Sequence, residues 1–202
     1  MTVRWWSDRL LSTRLAADGF IPTVQIDVFT VAKNNSAATT VYHNTGAANL
    51  AVAVHAERGT STTPVLTWGG TTMTRLDFLA SGDSLSIHYL FNPSSGNTTI
   101  TTNIAEGTLY TITFNNAASI VTASPIENLG VTSYAPTTPE TDGFYLGYAC
   151  DRNEQTYVLS GSDAETLSDI DDSISSIIGV AKASLSIDNG AAHRLAGVAL
   201  IT

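Results

Sequence analysis

From Val24 onward the apolar residues recur at every second position, in runs too short for anything but strands. Val24, Ile26 and Val28 alternate with Gln25, Asp27 and Phe29, and Leu50, Val52 and Val54 alternate with Ala51, Ala53 and His55. A period of two sends successive side chains to opposite faces of a pleated sheet, so these runs read as half-buried strands. The clearest unit spans Pro64 to Ile104. There Val65 to Trp68 and Thr72 to Leu76 flank Gly69-Gly70, a pair suited to the positive φ of a tight hairpin turn. Ser84 to Phe91 follows with Leu85, Ile87, Tyr89 and Phe91 on one face, then the turn Asn92 to Gly96, then Thr98 to Ile104. Tyr110, Ile112 and Phe114 alternate again. Further strand-like stretches lie around Ile120 and Val131, and over Phe144 to Cys150, Tyr157 to Leu159, Val180 to Ile187 and Arg194 to Ile201.

About a dozen short strands separated by turn signals predict an all-β chain, a single jelly-roll-like β-sandwich. Composition agrees. Of the 202 residues only 13% are charged, about half the usual quarter, and Thr, Ser and Asn take their place. That exchange favours pleated surface over solvated helix and excludes a helical bundle. The length suits one sizeable core, and no internal repeat or low-complexity linker is legible, so residues 23–202 read as one sandwich domain. Prolines at 125, 136 and 139 mark turns or an edge strand.

Residues 1–22 differ from the rest. Ser7 to Asp18 carries Leu10, Leu11, Leu15 and Ala16 at helical spacing, with Ser7 as N-cap and Gly19 as stop, which predicts a short amphipathic helix or arm. Arg4, Arg9 and Arg14 put three of the nine basic residues in the first fourteen positions, opposed there only by Asp8. With Trp5 and Trp6 they are the candidate partner-binding residues: the aromatics offer buried area and the arginines directed hydrogen bonds. No apolar core with a small-residue cleavage site follows Met1 and no run is long enough to span a bilayer, so synthesis in the cytoplasm is expected, without a signal peptide. A net charge of −9 opposes affinity for nucleic acid or anionic membranes.

Signs of chemistry are sparse. Cys150 alternates with Phe144, Leu146 and Tyr148 and reads as a core thiol. His43, His55, His88 and His193 fall in strand-like stretches without metal-pair spacing. No nucleophile elbow, phosphate-cradling loop or His-Glu-x-x-His occurs, so no enzyme and no cofactor is expected. Glu140 to Asp172 holds nine of the eighteen acids and one base, Arg152, and reads as an acidic loop with a short helix near Glu165. Within it Asp163, Glu165 and above all Asp169, Asp171 and Asp172 are weak candidate calcium ligands, lacking the glycine and closing glutamate of an EF-hand. Trp5, Trp6, Trp68, Tyr134 and Tyr145 are the aromatics on which a sugar ring would stack, if they lie off the core face.

The string Leu66 to Thr74, a strand ending Tyr89-Leu90-Phe91-Asn92-Pro93, and Gly96 together resemble β-sandwich domains of tailed-bacteriophage virion proteins and bacterial surface proteins. Asn49 to Glu57 is similar to an early core strand of that family, Phe144 to Cys150 to a late one and His193 to Ile201 to the closing one. The resemblance spans about Thr23 to Thr202. It implies a sandwich without catalytic residues, and a virion part in preference to a secreted adhesin. The partners then expected are capsid or tail subunits, with self-association, a trimer suiting local three-fold positions. The alternative is a carbohydrate-binding, adhesin-like module of a tail or fibre.

Overall fold

The computed structural model describes residues 23–32, 38–43, 48–59, 63–104, 107–128, 131–134, 143–151, 157–161, 163–170, 175–182, 184–188 and 195–202. Among them there is no helix, only strands. The expected N-terminal helix lies outside these residues. The first half of the chain holds β1 (Gln25–Ala32), β2 (Ala38–His43), β3 (Ala48–Arg58), β4 (Leu66–Trp68), β5 (Thr71–Thr72), β6 (Thr74–Ser81), β7 (Asp83–Phe91), β8 (Gly96–Thr102) and β9 (Thr108–Asn115). The second holds β10 (Ile120–Asn128), β11 (Val131–Tyr134), β12 (Phe144–Asp151), β13 (Val158–Ser160), β14 (Glu165–Ile170), β15 (Ser175–Ala181), β16 (Leu185–Asp188) and β17 (Leu195–Ile201).

These strands form an all-β sandwich of four antiparallel sheets. Each half contributes an inner sheet, β1-β9-β3-β7-β6 or β10-β17-β12-β15-β14, and an outer one, β2-β8-β4-β5 or β11-β16-β13. The two inner sheets face each other across the main core. With β5 and β6 counted as one strand that changes sheets, both halves have the same order. Strands one, eight, three, six and five make the inner sheet, and two, seven and four begin the outer. That is the jelly-roll arrangement, run twice in one chain.

Period-two alternation explains the layering. On β3, Leu50, Val52, Val54 and Ala56 enter the main core beside Leu85 and Ile87 of β7 and Tyr110, Ile112 and Phe114 of β9. From the other inner sheet come Phe144, Leu146, Tyr148 and Cys150 of β12, Ile178 and Val180 of β15, and Ala199 and Ile201 of β17. The opposite faces of the inner sheets meet the outer ones: Ala51, Ala53 and Leu109 pack with Leu66, Trp68 and Ile100, and Tyr145, Ala149, Ile177 and Val198 pack with Leu185 and Ile187. The central inner strands β3, β7, β9, β12, β15 and β17 are therefore buried on both faces. The register of β1 shifts between Ile26 and Val28, and this bulge brings both Ile26 and Phe29 to the main core despite their odd spacing.

The hairpin at Gly69-Gly70 forms as its sequence predicts, with φ of 55° and 84°. Pro125 lies in β10, an edge strand whose register shifts between Thr122 and Glu127, in keeping with its proline. Two local expectations fail. Glu165 begins β14 and not a helix, because pairing with β15 satisfies its backbone along the inner sheet. The stretch Val180 to Ile187 is two strands in different sheets, β15 ending at Ala181 and β16 starting at Leu185.

Candidate functional site

Between the sheets of the first half lies an interior that is unusually polar. Its residues come from the inner sheet's outward face: His55 on β3, Ser86 and His88 on β7, and Thr111 and Thr113 on β9. His55 stands opposite Ser86 across the β3–β7 ladder, Ala53 stands opposite both His88 and Thr111, and Arg75 of β6 flanks His88 from the other side. His55, Ser86, Thr111 and Thr113 are fully buried and His88 is 2% exposed. Ser86 Oγ, Thr111 Oγ1 and both ring nitrogens of His88 make no hydrogen bond with a described residue. Burial, then the positive charge of Arg75, then His55, lower the His88 pKa to about 3. His88 is therefore a neutral imidazole at ordinary pH.

At the strand end below these residues, Ser84 Oγ donates to Glu57 Oε2 at 3.0 Å, with both groups buried. Glu57 and Ser84 are cross-strand partners, and the second half repeats the pairing with Asp151 opposite Ser175, also buried. Aligning the halves on these pairs puts Ala149 at the place of His55, Ile177 at that of Ser86 and Gly179 at that of His88. It likewise puts Val198 where Thr111 stands and Leu200 where Thr113 stands. The same scaffold is thus built once with a polar interior and once with an apolar one. The fold itself does not require the histidines.

The space is also filled differently. A Cβ on Gly147 would sit 2.5 Å from Leu185 Cδ2, and one on Gly179 would sit 2.5 Å from Leu159 Cδ1. In the second half the outer sheet reaches down to bare glycine backbone. In the first half the inner sheet reaches up with His88. An alcohol beside an imidazole, as in Ser86 and His55, carries the elements of nucleophilic catalysis, but a nucleophile must meet its substrate. As folded, neither group reaches solvent. What the arrangement can do is hold proton acceptors away from water.

The residues singled out from the sequence fare unequally. Arg4, Trp5, Trp6, Arg9 and Arg14 lie outside the described residues, as do Asp171, Asp172 and His193. Asp169 lies in β14, paired with Ile177, and its side chain is outside the described set. Among the described residues no group of three or more His, Cys, Asp and Glu is placed to hold a metal ion. Trp68 and Tyr145 are corrected: both face the sheet-to-sheet interiors, 1% and 3% exposed, and cannot stack a sugar. Tyr134 lies in β11 with its side chain outside the described set. Cys150 is a core thiol, raised in pKa by burial and then by the carboxylates of Asp83 and Asp151. The His55–Ser86–His88 grouping escapes a search by spacing, since β3 and β7 are far apart along the chain. Its one trace is that both histidines occupy the positions that alternate with the apolar face.

Compared with protein-family models, curated proteins and solved structures, the chain matches none.

Proposed function

We propose that the chain is a non-enzymatic structural protein of a tailed-phage virion, a head decoration or accessory protein that docks through residues 1–22. The observation that carries this reading is the jelly-roll strand order, present twice and closed around one continuous core. Jelly rolls serve in viral capsids and in lectins, and the argument from fold to role is one of analogy. The sealed state of His55, Ser86 and Cys150 favours the structural side of that choice, because none is accessible to a substrate. The interior positions of Trp68 and Tyr145 remove two platforms from the glycan alternative.

In this reading Arg4, Trp5, Trp6, Arg9 and Arg14 make the attachment, to capsid or tail subunits. The polar, Thr-rich sandwich faces solvent, and the net charge of −9 discourages non-specific association. The test is quantitative mass spectrometry of density-purified particles, with copies counted against the major shell subunit, followed by rebinding of full-length and 23–202 protein to stripped particles. Hundreds of copies and loss of rebinding by the shortened chain are expected. Absence from particles ends the virion reading, and undiminished rebinding ends the role of the arm.

A further inference from the structure

We propose that the interior of the first half is a built water site, in which molecules cut off from bulk solvent bridge His88, Ser86 and Thr111 beneath the outer sheet. The observation behind this is a set of buried polar atoms that no described residue satisfies. Ser86 and Thr111 are fully buried and His88 is 2% exposed, yet Ser86 Oγ, Thr111 Oγ1 and both ring nitrogens of His88 make no hydrogen bond with a described residue. A buried group left unpaired costs more than a paired one returns, so such side chains are held by protein or by ordered water.

The register gathers the three groups around one small residue. Thr111 and His88 stand on either side of Ala53, which puts their Cα atoms two strand spacings apart, about 9–10 Å. Ser86 lies two residues before His88 and on the same face of β7. Ala53 contributes only a methyl between them. Side chains this far apart do not bond directly, whereas an enclosed water makes about 3 hydrogen bonds and spans such gaps.

The chemistry of the groups selects the occupant. His88 is neutral, its pKa lowered to about 3 by burial, then by Arg75 and His55. A neutral imidazole offers one donor and one acceptor, and each hydroxyl likewise both donates and accepts. An anion would satisfy only the donors and a cation only the acceptors. Water satisfies both, whichever ring nitrogen of His88 carries the proton.

The second half shows the same scaffold with the space filled. Ile177, Gly179, Val198 and Gly147 stand where Ser86, His88, Thr111 and Ala53 do in the first half. There Leu185 and Ile187 press on Gly147 and Leu159 presses on Gly179. The first half also has a rim. Arg75 and Phe78 of the edge strand β6 pair with His88 and Ser86, and the Arg75 guanidinium lies 5.5 Å from the centre of the Phe78 ring. Arg75 is exposed and Phe78 half-buried, so this stack stands between the site and solvent.

The test is oxygen-17 magnetic relaxation dispersion of the full chain, which counts water molecules held for longer than the protein tumbles, together with urea denaturation. Ser86→Ala with Thr111→Val is expected to lower the count by about one molecule or more, and Thr111→Val alone to lower the urea midpoint. A hydroxyl without any partner behaves in the opposite way, since its replacement by a methyl relieves the unpaired group. A midpoint that rises or stays, or a count that does not change, therefore overturns the proposal. If the variants do not fold, rotating-frame cross-relaxation between water and the Ala53 methyl in the unaltered chain decides. A signal at Ala53 with none at the Val198 methyls supports the site. No signal at Ala53, or a scalar coupling that shows the His88 ring bonded to a protein group, overturns it.

Discussion

Tyr110 of one inner sheet donates its hydroxyl proton to the backbone carbonyl of Ser176 in the other, at 2.9 Å, and lies 2.7 Å from the Ser176 hydroxyl. Both residues are buried, so the two halves are joined by directed bonds as well as by apolar contact. Cys150 Sγ, 3.7 Å from the Ser84 carbonyl, and the Ile126 amide, 2.7 Å from Asp77 Oδ2, make the same crossing at other points.

Tyr110→Phe removes the hydroxyl and leaves the Ser176 groups without it in a dry interface. A loss of about 1–2 kcal/mol is expected, read as a lower urea midpoint at unchanged slope. An unshifted midpoint would mean that the bond contributes nothing beyond the packing of the ring.

Stability should fall in acid. The folded pKa of His88 lies below its unfolded value, so the unfolded chain binds the extra proton. The contribution of neutral His88 is complete above about pH 6.5 and is lost as the pH falls from there toward 3. By pH 4 the loss reaches at most about 3 kcal/mol. Urea denaturation at a series of pH values should show a shallower decline for His88→Gln, and parallel curves would contradict the assignment.

Gly147→Ala and Gly179→Ala each force a methyl against a leucine of the outer sheet, and at Gly179 also to 2.6 Å from the Glu165 carbonyl. A destabilisation of about 1–3 kcal/mol is expected for each. Ala53, the counterpart of Gly147, already carries that methyl. Calorimetric melting that leaves either variant unchanged would show that the outer sheet has room to move.

Cys150 is fully buried and its thiol is pushed well up in pKa. The native protein should resist a thiol reagent at pH 8, reacting only as fast as the main core opens. Rapid stoichiometric labelling without denaturant would place Cys150 at a mobile site.

The ends of the halves meet. Asn116 Nδ2 donates to the Thr23 carbonyl, and the Ala118 and Ser119 amides donate to the Thr202 carbonyl. A rearranged chain, 119–202 joined by a short flexible linker to 23–118, should therefore fold with a melting temperature close to that of 23–202. Failure to fold would mean that the link through residues 116–119 organises the structure and does not merely connect it.

Much of this architecture was legible because strand burial writes itself into alternation. Leu85, Ile87, Tyr89 and Phe91 announce one face of β7, and Gly69-Gly70 announces the turn between β4 and β5, since both are effects of neighbouring residues on each other. The bulge in β1 and the strand at Glu165 were not legible, because each depends on a partner strand distant in the chain.

The sequence by itself determined the all-β class, the strands that are apolar on one side and the core position of Cys150. All three follow from a local rule, that neighbouring side chains in a strand point opposite ways. Only the tertiary structure decided that the jelly-roll order runs twice, that Trp68 and Tyr145 turn inward, and that His55 and His88 share a sealed interior. Those outcomes depend on which strands pair and which sheets stack, and such contacts join residues whose separation along the chain leaves no periodic trace.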